Sequence, residues 1–279
     1  MKLKKKHIII GVILLSFVII ISTLYLLTFT DFIVKPKYIF SADYNNEHYD
    51  CKKKVEISSI NSIEITHSDY KTTKENLKYC NNLSQVIIDL PKVNHTNFLC
   101  DLKGVNKLST FFKSDDWSGI SGCINAEEIS LYSSNFNDLE LLSNFSKLLE
   151  LKIESDNKMI YRGFDTLLSL KKLVLAVENA DIKEISKASK INELYFHRLK
   201  ETLNVDCLSD LKNLETLYFG ACDIKEETLS EISQIGNLKS VYFGNCKIQC
   251  SEVDYNNYIS DISAKGIDVE CEDNEYLSK

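Results

Sequence analysis

Residues 214–224 read LETLYFGACDI, and residues 238–248 read LKSVYFGNCKI, the same spacing met again twenty-four positions further on. In the first copy Leu214, Leu217, Phe219, Cys222 and Ile224 fall at the positions that Leu238, Val241, Phe243, Cys246 and Ile248 fill in the second. Side chains two apart on a strand point the same way, so Leu217 and Phe219 share one face, as do Val241 and Phe243, while Tyr218 and Tyr242 take the other. After the strand the chain must turn, and a small Cys suits a buried place on a tight bend. A unit of this kind cannot cover its own apolar face, so neighbouring units have to stack.

The spacing is L-x-x-L-x-L-x-x-C/N-x-L, and it resembles the leucine-rich repeat family, in which each unit gives one short strand to a parallel sheet and returns along the outer side by a helix or loop. Working outward, the strand signal recurs at central positions Ile63, Val86, Leu108, Ile129, Leu151, Leu173, Leu194, Leu217, Val241 and Ile267, in steps of 23, 22, 21, 22, 22, 21, 23, 24 and 26 residues. Ile63 has Ile60 and Ile65 beside it; Ala264, Ile267 and Val269 form the last triplet. The third triplet, Val105, Leu108 and Thr110, is the weakest, because Phe111 and Phe112 break the alternation. Short steps leave room for loops or single turns, whereas the last two can hold helices. Tyr255, Tyr258, Ile259 and Ile262 fall on one helical face, and Leu229, Ile232 and Ile235 suggest a second helix. The expected fold class is therefore an α/β leucine-rich repeat solenoid, with a curved parallel β-sheet on the concave side and loops and short helices on the convex side, after one N-terminal transmembrane helix.

That helix is expected at residues 8–30, which carry no charge and are long enough to cross a bilayer core of about 30 Å. Lys2, Lys4, Lys5 and Lys6 precede it and Asp31 follows, which orients the amino terminus to the cytosol and the rest outside. No small-x-small exit marks a cleavage site near Leu27–Asp31, so an uncleaved single-pass anchor in the cell membrane is expected. The organisation then reads: a basic cytosolic flank at 1–7, the signal-anchor at 8–30, a stalk and N-terminal cap at 31–57, about ten repeats at 58–271, and a polar, frayed tail at 272–279. The Lys, Asn and Ile bias adds a bacterial source to the resemblance.

The 33 basic residues, less those four lysines, leave 29 against 40 acidic ones, a net charge of −11 for residues 31–279. Nucleic acid is a poor partner for such a surface. No phosphate-binding loop, zinc-binding His pair or nucleophile elbow occurs, and His7, His48, His67, His95 and His197 are scattered, so no catalysis, metal or cofactor is expected. Cys222 and Cys246 share one place in adjacent units; burial in the turns is expected, although their spacing is within disulfide reach. Cys80, Cys100 and Cys123 suit buried positions on the back of the stack, and Cys250 and Cys271 suit a tie across the carboxyl cap.

The candidate site lies on the open face of the sheet. There Tyr195, Tyr218 and Tyr242 form one column, and His197, Gly220 and Gly244 form a low shelf beside it, suited to an extended peptide, an aromatic side chain or a sugar ring. The tyrosines would otherwise simply stack on one another. Farther toward the amino end the column holds Glu64, Ile87, Ser109, Ser130, Lys152 and Val174, flanked by Glu128, Glu150, Glu154 and Glu193, an acidic border if a partner binds. The resemblance implies non-enzymatic recognition of a protein or peptide, or of a glycan, through the concave face; a structural spacer without a specific ligand is the alternative.

Overall fold

The computed structural model describes residues 38–40, 54–56, 61–66, 82–90, 96–200 and 205–277. The expected membrane span at 8–30 lies outside them; among the described residues, no helix is long and apolar enough to cross a membrane. The first described elements are β1 (Tyr38–Phe40) and β2 (Lys54–Glu56), which pair antiparallel within the segment expected to hold a cap.

Ten strands then build one parallel sheet: β3 (Ser62–Thr66), β4 (Gln85–Asp89), β5 (Lys107–Phe111), β6 (Glu128–Ser134), β7 (Glu150–Ser155), β8 (Lys172–Ala176), β9 (Glu193–His197), β10 (Thr216–Gly220), β12 (Ser240–Gly244) and β14 (Asp268–Glu272), in sequence order across the sheet. Each strand alternates between residues that face the core and residues that face out. From β3 to β12 the two inward residues are buried in every strand, from Ile63 and Ile65 to Val241 and Phe243. Full burial of such a side chain contributes about 1.5–3 kcal/mol, and no unit obtains it without a neighbour. Phe196, Phe219 and Phe243 stack through the interior at centroid distances of 5.7 and 5.6 Å, and Tyr255 meets Phe243 edge-on at 6.1 Å.

β5, the weakest in sequence, keeps the register: Thr110 points inward beside Ile88 and Leu131, and Phe111 points out beside Tyr132. β14 departs from expectation. Val269, not Ile267, lies beside Val241. The preceding helix runs to Ala264, which is exposed rather than core, and the chain needs Lys265 and Gly266, the latter at φ 80, to turn into the strand. Only glycine adopts that backbone without strain.

Behind the sheet the short repeats return through single 3-10 turns, among them Asn97–Asp101, Ser118–Cys123, Leu139–Leu142 and Phe164–Thr166. Helix α1 (Ile182–Ile185) is a single turn in a step of only 21 residues, and α2 (Glu226–Ile232) and α3 (Glu252–Ala264) follow in the two longest steps. α2 buries Leu229 and Ile232, with Ile235 buried just beyond it, and α3 buries Tyr255 and Ile262, with Tyr258 and Ile259 partly covered. Two of the turns touch backbone to backbone: a Cβ on Gly119 would sit 2.0 Å from the Thr96 carbonyl oxygen, which leaves room for glycine alone.

A second sheet was not expected. β11 (Asp223–Lys225), β13 (Lys247–Gln249) and β15 (Glu275–Tyr276) run parallel along the rim where the chain leaves the main sheet. β15 corrects, for the described residues 272–277, the expectation of a frayed tail at 272–279. Once Val269 is the central residue, Asn274 and Tyr276 fall at the positions of Cys246 and Ile248, so the tail is the end of a repeat. Asn274 Nδ2 donates to the Phe243 carbonyl at 3.1 Å, and its Oδ1 accepts from the Cys246 N–H at 2.9 Å.

Candidate functional site

The parallel register brings the expected column together as drawn from the sequence. Glu64, Ile87, Ser109, Ser130, Lys152, Val174, Tyr195, Tyr218 and Tyr242 lie side by side, and Glu270 on β14 completes the row. Tyr218 and Tyr242 stack at 4.5 Å with planes 5° apart, and Tyr195 meets Tyr218 at 5.5 Å and 31°. His197, from the next row, lies 4.9 Å from Tyr218. Tyr218 thus has a ring on each side, and what it offers outward is its edge and hydroxyl.

The glycine shelf is not open. A Cβ on Gly220 would lie 2.7 Å from Tyr218 Cε1 and 2.8 Å from His197 Nδ1, and one on Gly244 would lie 2.5 Å from Tyr242 Cε1. Each tyrosine therefore leans along its own strand and lies over the glycine two residues on, and both glycines are buried. The smallness of Gly220 and Gly244 serves the rings, and the two residues form no floor for a ligand.

The acidic border is also changed by the fold. Glu128 pairs with Lys107 at 2.6 Å, Glu150 with Lys152 at 2.8 Å and Lys172 at 3.9 Å, Glu193 with Lys172 at 3.3 Å, and Glu154 with Arg198 at 3.6 Å. These carboxylates neutralise basic neighbours on the same or nearby strands and leave little net field over the middle of the face. Lys172 Nζ also sits 5.1 Å from the centre of the Tyr195 ring, a cation over an aromatic face. Tyr195 donates to Glu193 Oε2 at 3.2 Å, and the Tyr242 hydroxyl donates to Glu272. That bond to a carboxylate pushes the Tyr242 phenol up to about 12. Burial raises Tyr195 and Tyr218 and lowers His197, with Arg198 adding to the last shift, so the imidazole is neutral at pH 7.

A second aromatic pair escaped the sequence reading. Phe111 and Tyr132 stack at 4.7 Å and 11° in the row that holds His197, and Phe111 is 41% exposed. In sequence Phe111 breaks the core alternation because it stands in the outward row, and that place is the signal that identifies it. Three strand spacings, about 14 Å, separate Tyr132 from the strand of Tyr195.

No disulfide joins the described cysteines. Cys222 and Cys246 are buried, and their thiols donate to the Phe196 and Phe219 carbonyls at 3.5 and 3.4 Å, the position that Asn274 takes in the next repeat. Cys123 is buried, and desolvation pushes its thiol up to about 12. Cys100, expected to be buried, is exposed, and Cys271 lies 3.0 Å from the Tyr255 hydroxyl rather than bridged to Cys250. Cys80 lies outside the described residues. Among the described residues, no group of three or more His, Cys, Asp or Glu side chains is arranged to hold a metal ion.

A long parallel sheet with in-register inward columns and turns or helices behind it is a leucine-rich repeat solenoid. The chain matches no protein-family model and no curated protein. Among solved structures it is similar to an internalin (inlF) from Listeria monocytogenes, with a TM-score of 0.60 and 16% identity over 77% of this chain. It spans 61% of the length of that internalin. It is similar also to internalin C2 (inlC2) from the same organism, with a TM-score of 0.53 and 12% identity over 81% of this chain and 87% of that one. At these identities the likeness is one of fold.

Proposed function

We propose that this chain is a non-enzymatic binding module, anchored in the membrane by residues 8–30 with its repeats outside the cell, and that it recognises a protein or peptide through the concave face. The observation that carries the reading is the column Tyr195, Tyr218 and Tyr242, half-exposed on a face whose central charges already neutralise one another. Aromatic edges and hydroxyls over a locally neutral surface suit the mixed apolar and polar contacts of a protein interface. A glycan is less well served, because a sugar ring stacks on an open aromatic face and Tyr218 has both faces taken. The aromatic pair Phe111 and Tyr132 gives the same face a second anchor.

A structural role without a ligand is the second reading, favoured by the near-parallel stack of Tyr218 on Tyr242, which holds adjacent strands whether or not a partner binds. Pull-down from cell-surface extract, with the full-length chain in mild detergent beside a Tyr195, Tyr218 and Tyr242 triple serine variant of matched folding, separates the two. A protein retained by the first and lost by the second supports recognition, and equal profiles support the structural role.

A further inference from the structure

Among the described residues, β14 is the last strand of the ten-strand sheet and is hydrogen-bonded on one side only, to β12. The Asp268 N–H donates to the Lys239 carbonyl at 2.8 Å, and the Glu272 carbonyl accepts from the Asn245 N–H at 2.8 Å. By the alternation of a parallel ladder, the N–H and C=O of Val269 and Cys271 point away from β12. Their side chains are also less covered than those of the strands before them. In the nine strands before it both inward residues are buried, whereas Val269 is half-buried and Cys271 exposed. Four of the five residues of β14 are exposed.

The outward residues of this strand are Asp268, Glu270 and Glu272, and none of them pairs with a Lys or Arg among the described residues, unlike Glu128, Glu150 and Glu193. The contrast is clearest at the two ends of the tyrosine column. Beside Tyr195, the neighbouring strand supplies Lys172 to the ring and to two carboxylates; beside Tyr242, the neighbouring strand supplies Glu270, with Asp268 in the row that holds Lys172. Basic groups for this end have to come from the next strand along. A second copy of the chain is a poor source, since antiparallel β14 strands would set six carboxylates on one face.

We propose that the open edge of β14 accepts an extended, basic segment of a partner protein. Its backbone continues the ladder on Val269 and Cys271, Lys or Arg at alternate positions face Asp268, Glu270 and Glu272, and apolar residues between them cover the uncovered inward side. This goes beyond the concave-face reading and does not rest on it.

The test uses the full-length chain and a fluorescein-labelled peptide of alternating lysine and valine, followed by anisotropy and by amide hydrogen exchange. Saturable binding is expected, with at least tenfold weakening by Glu270→Lys, at least tenfold weakening by N-methylation of alternate peptide amides, and slowed exchange at Val269 and Cys271. Tyr218→Ser is expected to leave the peptide affinity unchanged, which keeps this outcome separate from that of the concave face. No binding, equal binding of an alternating glutamate and valine peptide, or binding indifferent to N-methylation overturns the proposal. Slow exchange at both amides before peptide is added overturns it too, since the edge would then already be covered.

Discussion

At Gly244 one hydrogen in place of a methyl decides where an aromatic ring lies. A Cβ there would meet Tyr242 Cε1, Oη and Cζ at 2.5, 2.7 and 2.9 Å, all on the mobile end of a side chain. Gly244→Ala is therefore expected to keep the fold while lifting Tyr242 off Tyr218 and away from Glu272, at a cost of about 1 kcal/mol from the lost ring pair. Near-ultraviolet circular dichroism reads the ring; an unchanged spectrum would contradict the packing. His197 gives a pH signature of its own. Burial and Arg198 lower its folded pKa below the ordinary 6.5, so its contribution is intact above that value and stability falls as the pH drops through 6.5 toward the lowered one. His197→Gln should flatten the acid side of a urea-midpoint profile, and an equally steep fall in the variant would assign the effect elsewhere. The tyrosine column was legible because strand alternation alone sets the side to which a residue points. The lean of each ring over its glycine was not, since alternation gives the face of a side chain and says nothing of its tilt.

Elements differ in how plainly they announced themselves. α3 showed in the spacing of Tyr255, Tyr258, Ile259 and Ile262, and its start is fixed by Ser251, whose hydroxyl accepts the Asp254 N–H at 3.1 Å. Ser251→Ala is expected to cost about 1 kcal/mol, read as a lower thermal midpoint; no change would mean that packing of Tyr255 alone holds the helix. β15 was missed for a definite reason. Reading Ile267 as a core residue of the strand displaced the final repeat by two positions, and this hid Asn274 and Tyr276 among polar neighbours. Charge pairing between Lys172, Glu150 and Glu193 was hidden differently: the partners are twenty-one or twenty-two residues apart, and only the register makes them neighbours.

Across the whole molecule each repeat touches little beyond the next, so damage should stay local before it becomes global. Leu217 is buried between Leu194 and Val241. Leu217→Asp buries an unpaired charge there and is expected to cost on the order of 4 kcal/mol or more. Hydrogen exchange should then be fast from β9 to β14 while β6 to β8 keep their protection; uniform loss would mean that the stack melts as one unit. Uneven cohesion already follows from the rim sheet of β11, β13 and β15, which gives the last repeats a second ladder where the earlier described repeats have only the single bridge between Asp138 and Ile160. Under tension along the stack, ladders in series share the same load but ladders side by side divide it. Optical tweezers pulling on the two ends of the repeat array should therefore record the single-ladder junctions from β3 to β10 yielding at the lower force, and the doubled junctions from β10 to β14 holding until later, so that Tyr218 and Tyr242 stay paired on the last part of the protein to come apart.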